Sequence, residues 1–111
     1  MKDVKNYLSD MLFSIGRIEK LTEGMDEASF EKNLNVQDAV IRRLAIIGEA
    51  ANKIPKEFRA EHENVDWRGV VDMRNFLIHE YFEIDLKVVW DTIKSDLPKL
   101  KAELSKALEN A

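Results

Sequence analysis

Apolar residues recur at alternating steps of four and three from the start of the chain, at Val4, Leu8, Met11, Ile15 and Ile18. That spacing lays one apolar stripe along a helix, with Lys5, Asp10, Arg17 and Glu19 on the other faces. It predicts a helix over about residues 2–23 that stops at Gly24. Residues 25–34 are mostly polar and predict a short helical turn or loop, anchored by Phe30 and Leu34. Asn33 or Asn35 is placed to cap a second long helix, whose stripe is Val40, Leu44, Ile47, Ala51 and Ile54. Pro55 ends it, because a proline disfavours helical backbone in the residue before it. Lys56 to His62 is expected as one more short turn of helix.

A third long helix is expected from about Asp66 to Glu80, capped by Asn64 or Asp66, with Trp67, Val70, Val71, Leu77 and Ile78 as its apolar surface. Asp85 caps a fourth, striped by Leu86, Trp90, Ile93 and Leu97 and continued by Leu100, Leu104 and Leu108. Pro98 interrupts that run and predicts a kink, or two helices in series, with the break near Asp96. No strand-like alternation of useful length occurs, nor any repeat or low-complexity tract. The fold class is all-α, an antiparallel bundle of four to five helices. Phe13, Met73 and Phe82 lie off the stripes, and surplus apolar surface on so small a bundle points to self-association.

With 111 residues the chain reads as a single domain over 1–111, and 45% hydrophobic with 34% charged residues is enough to bury a core and solvate a surface. The absence of Cys removes disulfide scaffolds, thiol catalysis and cysteine zinc sites. The start of the chain has no secretory pattern, and no apolar run reaches the ~18 residues of a membrane span. A cytoplasmic protein without membrane attachment is the expectation. A balance of 17 basic against 21 acidic residues argues against holding nucleic acid by bulk charge, but leaves room for a small basic site.

One segment concentrates reactive groups: Arg74-Asn75-Phe76-Leu77-Ile78-His79-Glu80-Tyr81. Histidine exchanges protons near neutral pH, and arginine clamps phosphate and charge developing on phosphorus. Asn75 is placed to orient a phosphate oxygen or the imidazole, and Tyr81 offers a hydroxyl to a phosphate or a site for modification. No metal-ligand spacing accompanies them, so the pattern suggests phosphoester chemistry without metal or cofactor. Each residue also has a structural reading. His79 could be a surface or hydrogen-bonded histidine, Arg74 could pair with an acid on a neighbouring helix, and Tyr81-Phe82 could be core. His62, between Glu61 and Glu63, reads as solvated. Arg42, Arg43 and Arg68 are candidates for phosphate contacts or for a solvated face. Glu49 and Lys53 have ion-pair spacing, and Gly48 inside a helix lowers its propensity and is a place for another helix to approach. On an intact helix Arg74 and His79 point ~140° apart, so either the helix ends and redirects His79 or a symmetric neighbour completes the site.

These residues resemble the HepT-like ribonuclease toxins of the HEPN superfamily, found with MNT-type minimal nucleotidyltransferase antitoxins. The resemblance is carried by Ile47-Gly48-Glu49-Ala50-Ala51, Trp67, the run Met73 to Phe82, Asp85, Val89-Trp90 and Asp96-Leu97-Pro98, and covers nearly the whole chain. It implies a HEPN-like homodimer and metal-independent RNA cleavage at the dimer cleft. It also implies Arg74 and His79 as catalytic residues with Asn75 assisting, and Tyr81 as the tyrosine adenylylated by the partner nucleotidyltransferase. The alternative is a non-catalytic helical subunit that binds and regulates such a nucleotidyltransferase.

Overall fold

The computed structural model describes residues 3–79 and 81–111, Tyr81 by its backbone alone. Helix α1, Val4–Leu21, opens where the Asp3 carboxylate accepts the Asn6 N–H at 3.0 Å. Its stripe is sunk, with Leu8, Met11, Ile15 and Ile18 all at 0% exposure. The helix closes at Thr22, whose hydroxyl and N–H both donate to the Ile18 carbonyl. Gly24, at φ 76°, then turns the chain in the left-handed region that glycine adopts without strain. The predicted start at residue 2 lies outside the described residues.

The polar stretch contains helix α2, Glu27–Glu31, closed at its start by reciprocal hydrogen bonds between Asp26 and Ser29. Phe30 is fully buried against Trp90, with ring centroids 5.3 Å apart. Leu34 is no anchor: it is 69% exposed. It opens helix α3, Leu34–Asn52, six residues before Val40 and therefore ~120° off the stripe. Asn33 caps that helix, and the buried Gln37 amide donates to the Phe30 and Glu31 carbonyls at the end of α2.

Helix α4, Lys56–Glu61, follows Pro55, and Arg59 on it reaches back to the Ile54 and Ala51 carbonyls, satisfying acceptors that the end of α3 leaves open. His62 is not simply solvated. It is half-buried, its ring 4.3 Å from that of Phe58, and its carbonyl accepts the Trp67 indole N–H.

Helix α5, Trp67–His79, starts where the Asp66 carboxylate accepts the Gly69 N–H. Leu77 is buried, whereas Ile78, one residue and ~100° further round, is 50% exposed. The predicted end at Glu80 lies outside the described residues. A 3-10 turn, Tyr81–Glu83, leads to helix α6, Leu86–Asp91, capped by Asp85. The expected break before Pro98 is a π segment, Thr92–Asp96, that joins α6 to helix α7, Leu97–Glu109. Proline has no N–H for the carbonyl four residues back and crowds it. Just before Pro98 the helix widens by about one residue per turn, and the Leu97 N–H donates to the Thr92 carbonyl five residues back. The run stays helical, and Trp90, Ile93, Leu97, Leu100 and Leu104 all remain buried.

Four long helical stretches thus form an antiparallel all-α bundle, with short α2 and α4 in the connections. Helix α3 is central, packed between α1 and α5, and α7 closes on α1. Lys101 and Glu19 join α7 to α1 at 3.1 Å, an exposed pair that contributes little beside the buried stripes. No strand occurs among the described residues, and no described helix is long and apolar enough to cross a membrane.

Candidate active site

Arg74 lies on the face of α5 that meets α3. Its Cβ and Cγ rest over Gly48, where a side chain would collide with them. The close helix approach expected at Gly48 is therefore present, and the neighbour is Arg74. The guanidinium is half-buried, and its Nη1 donates to the Asn75 Oδ1 at 2.8 Å. The Nε is buried and has no hydrogen-bond partner among the described residues. The expectation that Arg74 pairs with an acid on a neighbouring helix is not met by any ion pair among the described residues. Its partner is a neutral amide on the next residue.

His79 is the last residue of α5 and is exposed. The helix is intact from Arg74 to His79, so the two side chains diverge by ~140° and are offset by ~7.5 Å along the axis. One protomer therefore brings Arg74 and Asn75 together and leaves His79 on another face. The Tyr81 backbone follows in the 3-10 turn, and its side chain lies outside the described residues. Phe82 is not core: it is 98% exposed.

The other arginines are spread out. Arg42 is exposed on α3, and Arg43 is half-buried there with its Cζ 5.5 Å from the centre of the exposed Phe13 ring. Arg68 stands in the first turn of α5, 93% exposed, with its Nε 3.9 Å from the Asp72 carboxylate. The expected Glu49–Lys53 pair is not among the ion pairs of the described residues. No three His, Cys, Asp or Glu side chains among the described residues are grouped to hold a metal ion.

A groove of about 520 Å³ runs between α5 and the α6–α7 helix, walled by Val70, Met73, Phe76, Val88, Leu97 and Leu100 among others. Neither Arg74, Asn75 nor His79 lines it, so this groove and those three side chains are separate features. Sequence reasoning assigned Asn75 to phosphate or imidazole and missed the Arg74 guanidinium as its partner. Neighbours in sequence fall ~100° apart on a helix, and only a long, flexible stem lets one reach the other.

The family described as Ribonuclease HepT-like matches residues 11–107. A protein of Methanocaldococcus jannaschii named "Gamma-glutamylcyclotransferase and putative RNase" is 45% identical over 97% of this chain, and the chain spans about half, 49%, of that protein's length. A second protein of that organism, a "Putative RNase", is 43% identical over 93% of this chain and 94% of its own. A "Probable ribonuclease HepT" of Thermococcus cleftensis is 42% identical over 92% and 93%. No solved structure matches the chain. A family match across nearly the whole helical bundle, together with relatives of that kind over almost their full length, shows that this chain belongs to the HepT-like ribonuclease family.

Proposed function

We propose that the chain is a metal-independent endoribonuclease, a single domain over 1–111 that acts as a two-fold homodimer. We further propose that it is the toxin of a cytoplasmic toxin–antitoxin pair. The observation that carries the reading is Arg74, half-buried on α5 and tied by Nη1 to Asn75, in a chain of the HepT-like ribonuclease family. In the proposed reaction a ribose 2′-hydroxyl attacks the adjacent phosphorus. A base takes the 2′-hydroxyl proton, the P–O5′ bond breaks, and the leaving 5′-oxygen receives a proton. The products are a 2′,3′-cyclic phosphate and a 5′-hydroxyl. His79 moves the protons and Arg74 stabilises the charge on phosphorus, oriented by Asn75. Arg42, Arg43 and Arg68 are assigned to flanking phosphates.

The dimer is supported by two features. Arg74 and His79 diverge on one helix, so a second copy supplies what one copy does not converge. Of the six large exposed apolar side chains among the described residues, four (Phe76, Ile78, Phe82 and Val88) lie around the Arg74–Tyr81 segment. The assigned regulator is an MNT-type nucleotidyltransferase. In its reaction the Tyr81 phenol oxygen attacks the α-phosphorus of ATP, pyrophosphate leaves, and the phenol proton goes to solvent. The attached AMP brings bulk and negative charge near Arg74, opposing an RNA phosphate.

The test is RNA cleavage in chelator. The wild type should cut RNA and not the matching DNA, and His79→Ala should lose about 100-fold or more in rate. Equal cleavage by His79→Ala would remove it from the mechanism, and equal cleavage of DNA would remove the 2′-hydroxyl route. With the partner nucleotidyltransferase and ATP, the chain should gain the mass of one AMP and stop cutting, while Tyr81→Phe gains nothing.

A further inference from the structure

We infer that Gly48 is a positioning residue for Arg74: by presenting no side chain, it lets α3 and α5 close to the distance that aims the guanidinium. The inference rests on the reading of Arg74 as the group that meets the scissile phosphate. Gly48 is buried in the interior of α3, where glycine weakens the helix relative to alanine. The contact across the interface accounts for it. A Cβ on Gly48 would overlap the Arg74 Cβ, and would lie 3.0 Å from the Arg74 Cγ and 2.9 Å from the Val70 carbonyl oxygen.

The last of these contacts decides the matter. A flexible side-chain tip could swing aside, but the Val70 carbonyl is α5 backbone one turn before Arg74. A methyl at position 48 must therefore shift the helix that carries the arginine as well as the arginine stem. That stem has little freedom elsewhere, since its Nε is packed in the interior and its Nη1 is on Asn75. Gly16, inside α1, is the natural comparison, for a Cβ there meets nothing within 4 Å.

Four variants test the role: Gly48→Ala, Gly16→Ala, Arg74→Gly, and Gly48→Ala with Arg74→Gly. Gly48→Ala should lower kcat for RNA at least tenfold with KM within threefold, because a displacement on the order of 1 Å at a reacting group is felt mainly in the chemical step. Gly16→Ala should cut within twofold of wild type. Gly48→Ala should change the residual rate of Arg74→Gly several-fold less than it changes the wild-type rate, since no tethered guanidinium remains to be displaced and only the shift of α5 is left. Gly48→Ala should lower Tm more in the wild-type background than in the Arg74→Gly background, where the Arg74 Cβ and Cγ contacts are gone and the Val70 carbonyl contact remains.

Wild-type cleavage by Gly48→Ala alongside a defective Arg74→Gly overturns the positioning role and leaves the reading of Arg74 standing. So does an equal loss from Gly48→Ala in the wild-type and Arg74→Gly backgrounds. Wild-type cleavage by Arg74→Gly removes the reading of Arg74, and the positioning role with it. If Gly48→Ala does not fold, millimolar methylguanidinium should restore cleavage equally to Arg74→Gly and to the double variant. Restoration in Arg74→Gly alone overturns the inference.

Discussion

The hydrogen bond from Arg74 to Asn75 separates two roles that an arginine near a phosphate can have, being held in place and carrying charge. At 2.8 Å it is short, it joins a charged donor to a neutral acceptor, and it is the guanidinium's one hydrogen bond among the described residues. A hydrogen bond to a charged group contributes about 1.5–3 kcal/mol. If Asn75→Ala releases the guanidinium, and the loss is felt in the transition state, kcat should fall about 10- to 100-fold, at 1.4 kcal/mol per factor of ten. Folding stability should fall by less than about 1 kcal/mol, because the half-exposed guanidinium finds water instead. Asn75→Asp gives the opposite combination. It keeps an acceptor at the same reach and holds the arginine at least as firmly, but its carboxylate cancels the positive charge that a phosphate would meet. Stability should be unchanged or higher, and cleavage should fall further than in Asn75→Ala. Single-turnover cleavage of an end-labelled RNA, with thermal unfolding of each variant, reads both quantities. Cleavage by Asn75→Asp equal to or faster than by Asn75→Ala would refute the argument that Asn75 keeps Arg74 both placed and fully charged.

Two further predictions concern the scaffold. Phe30→Ala removes a fully buried ring that joins α2 to Trp90 on α6, and should cost about 3–5 kcal/mol in urea unfolding; a loss under about 1 kcal/mol would mean that α2 does not belong to the cooperative core. The Ser29 backbone N–H, and after it the Ser29 hydroxyl, hold the Asp26 carboxyl below its ordinary value of 3.8. The α2 cap is therefore fully in place above the unfolded carboxylate value and is lost as pH falls through the lower folded one. An NMR titration should place the Asp26 midpoint below 3.8, and a midpoint at or above it would show that the capping box does not favour the ionised form.

Helix positions were legible because the dominant force is periodic. Stripes at four-three spacing became buried faces, and Asn33, Asp66 and Asp85 became caps, since both effects are local to a few residues. The failures share a cause, which is that periodicity does not say where a stripe ends. Leu34 and Ile78 are apolar and still face outward, Ile78 directly beside the buried Leu77. Pro98 announced an interruption, but only the hydrogen-bond register distinguishes a kink from a π segment. At the candidate site the residue types and their spacing were readable, as was the divergence of Arg74 from His79. The contact between Gly48 and Arg74 was not. It spans two helices, and its sequence signal, a glycine inside a helix, names a close approach without naming the partner.

The acidic composition disfavours holding nucleic acid by bulk charge, and it bears on how the arginines are used. With 21 acidic residues in 111, a cation is easily neutralised by its neighbours. Arg68 shows this, with its partner Asp72 on the same helix. Among the described residues, three others are met by groups that carry no net charge: Arg59 by two backbone carbonyls, Arg43 by the face of Phe13, and Arg74 Nη1 by an amide. An arginine held by an amide keeps its whole charge, whereas one held by a carboxylate presents to an incoming phosphate a pair of nearly zero net charge. Half-burial strengthens the difference, because solvent screens the remaining charge less there than at the surface. A chain of net charge -4 can thus offer a phosphodiester a concentrated positive point without a basic surface around it. Non-specific attraction along the length of a nucleic acid is weak on such a surface, and attraction at one phosphate is strong.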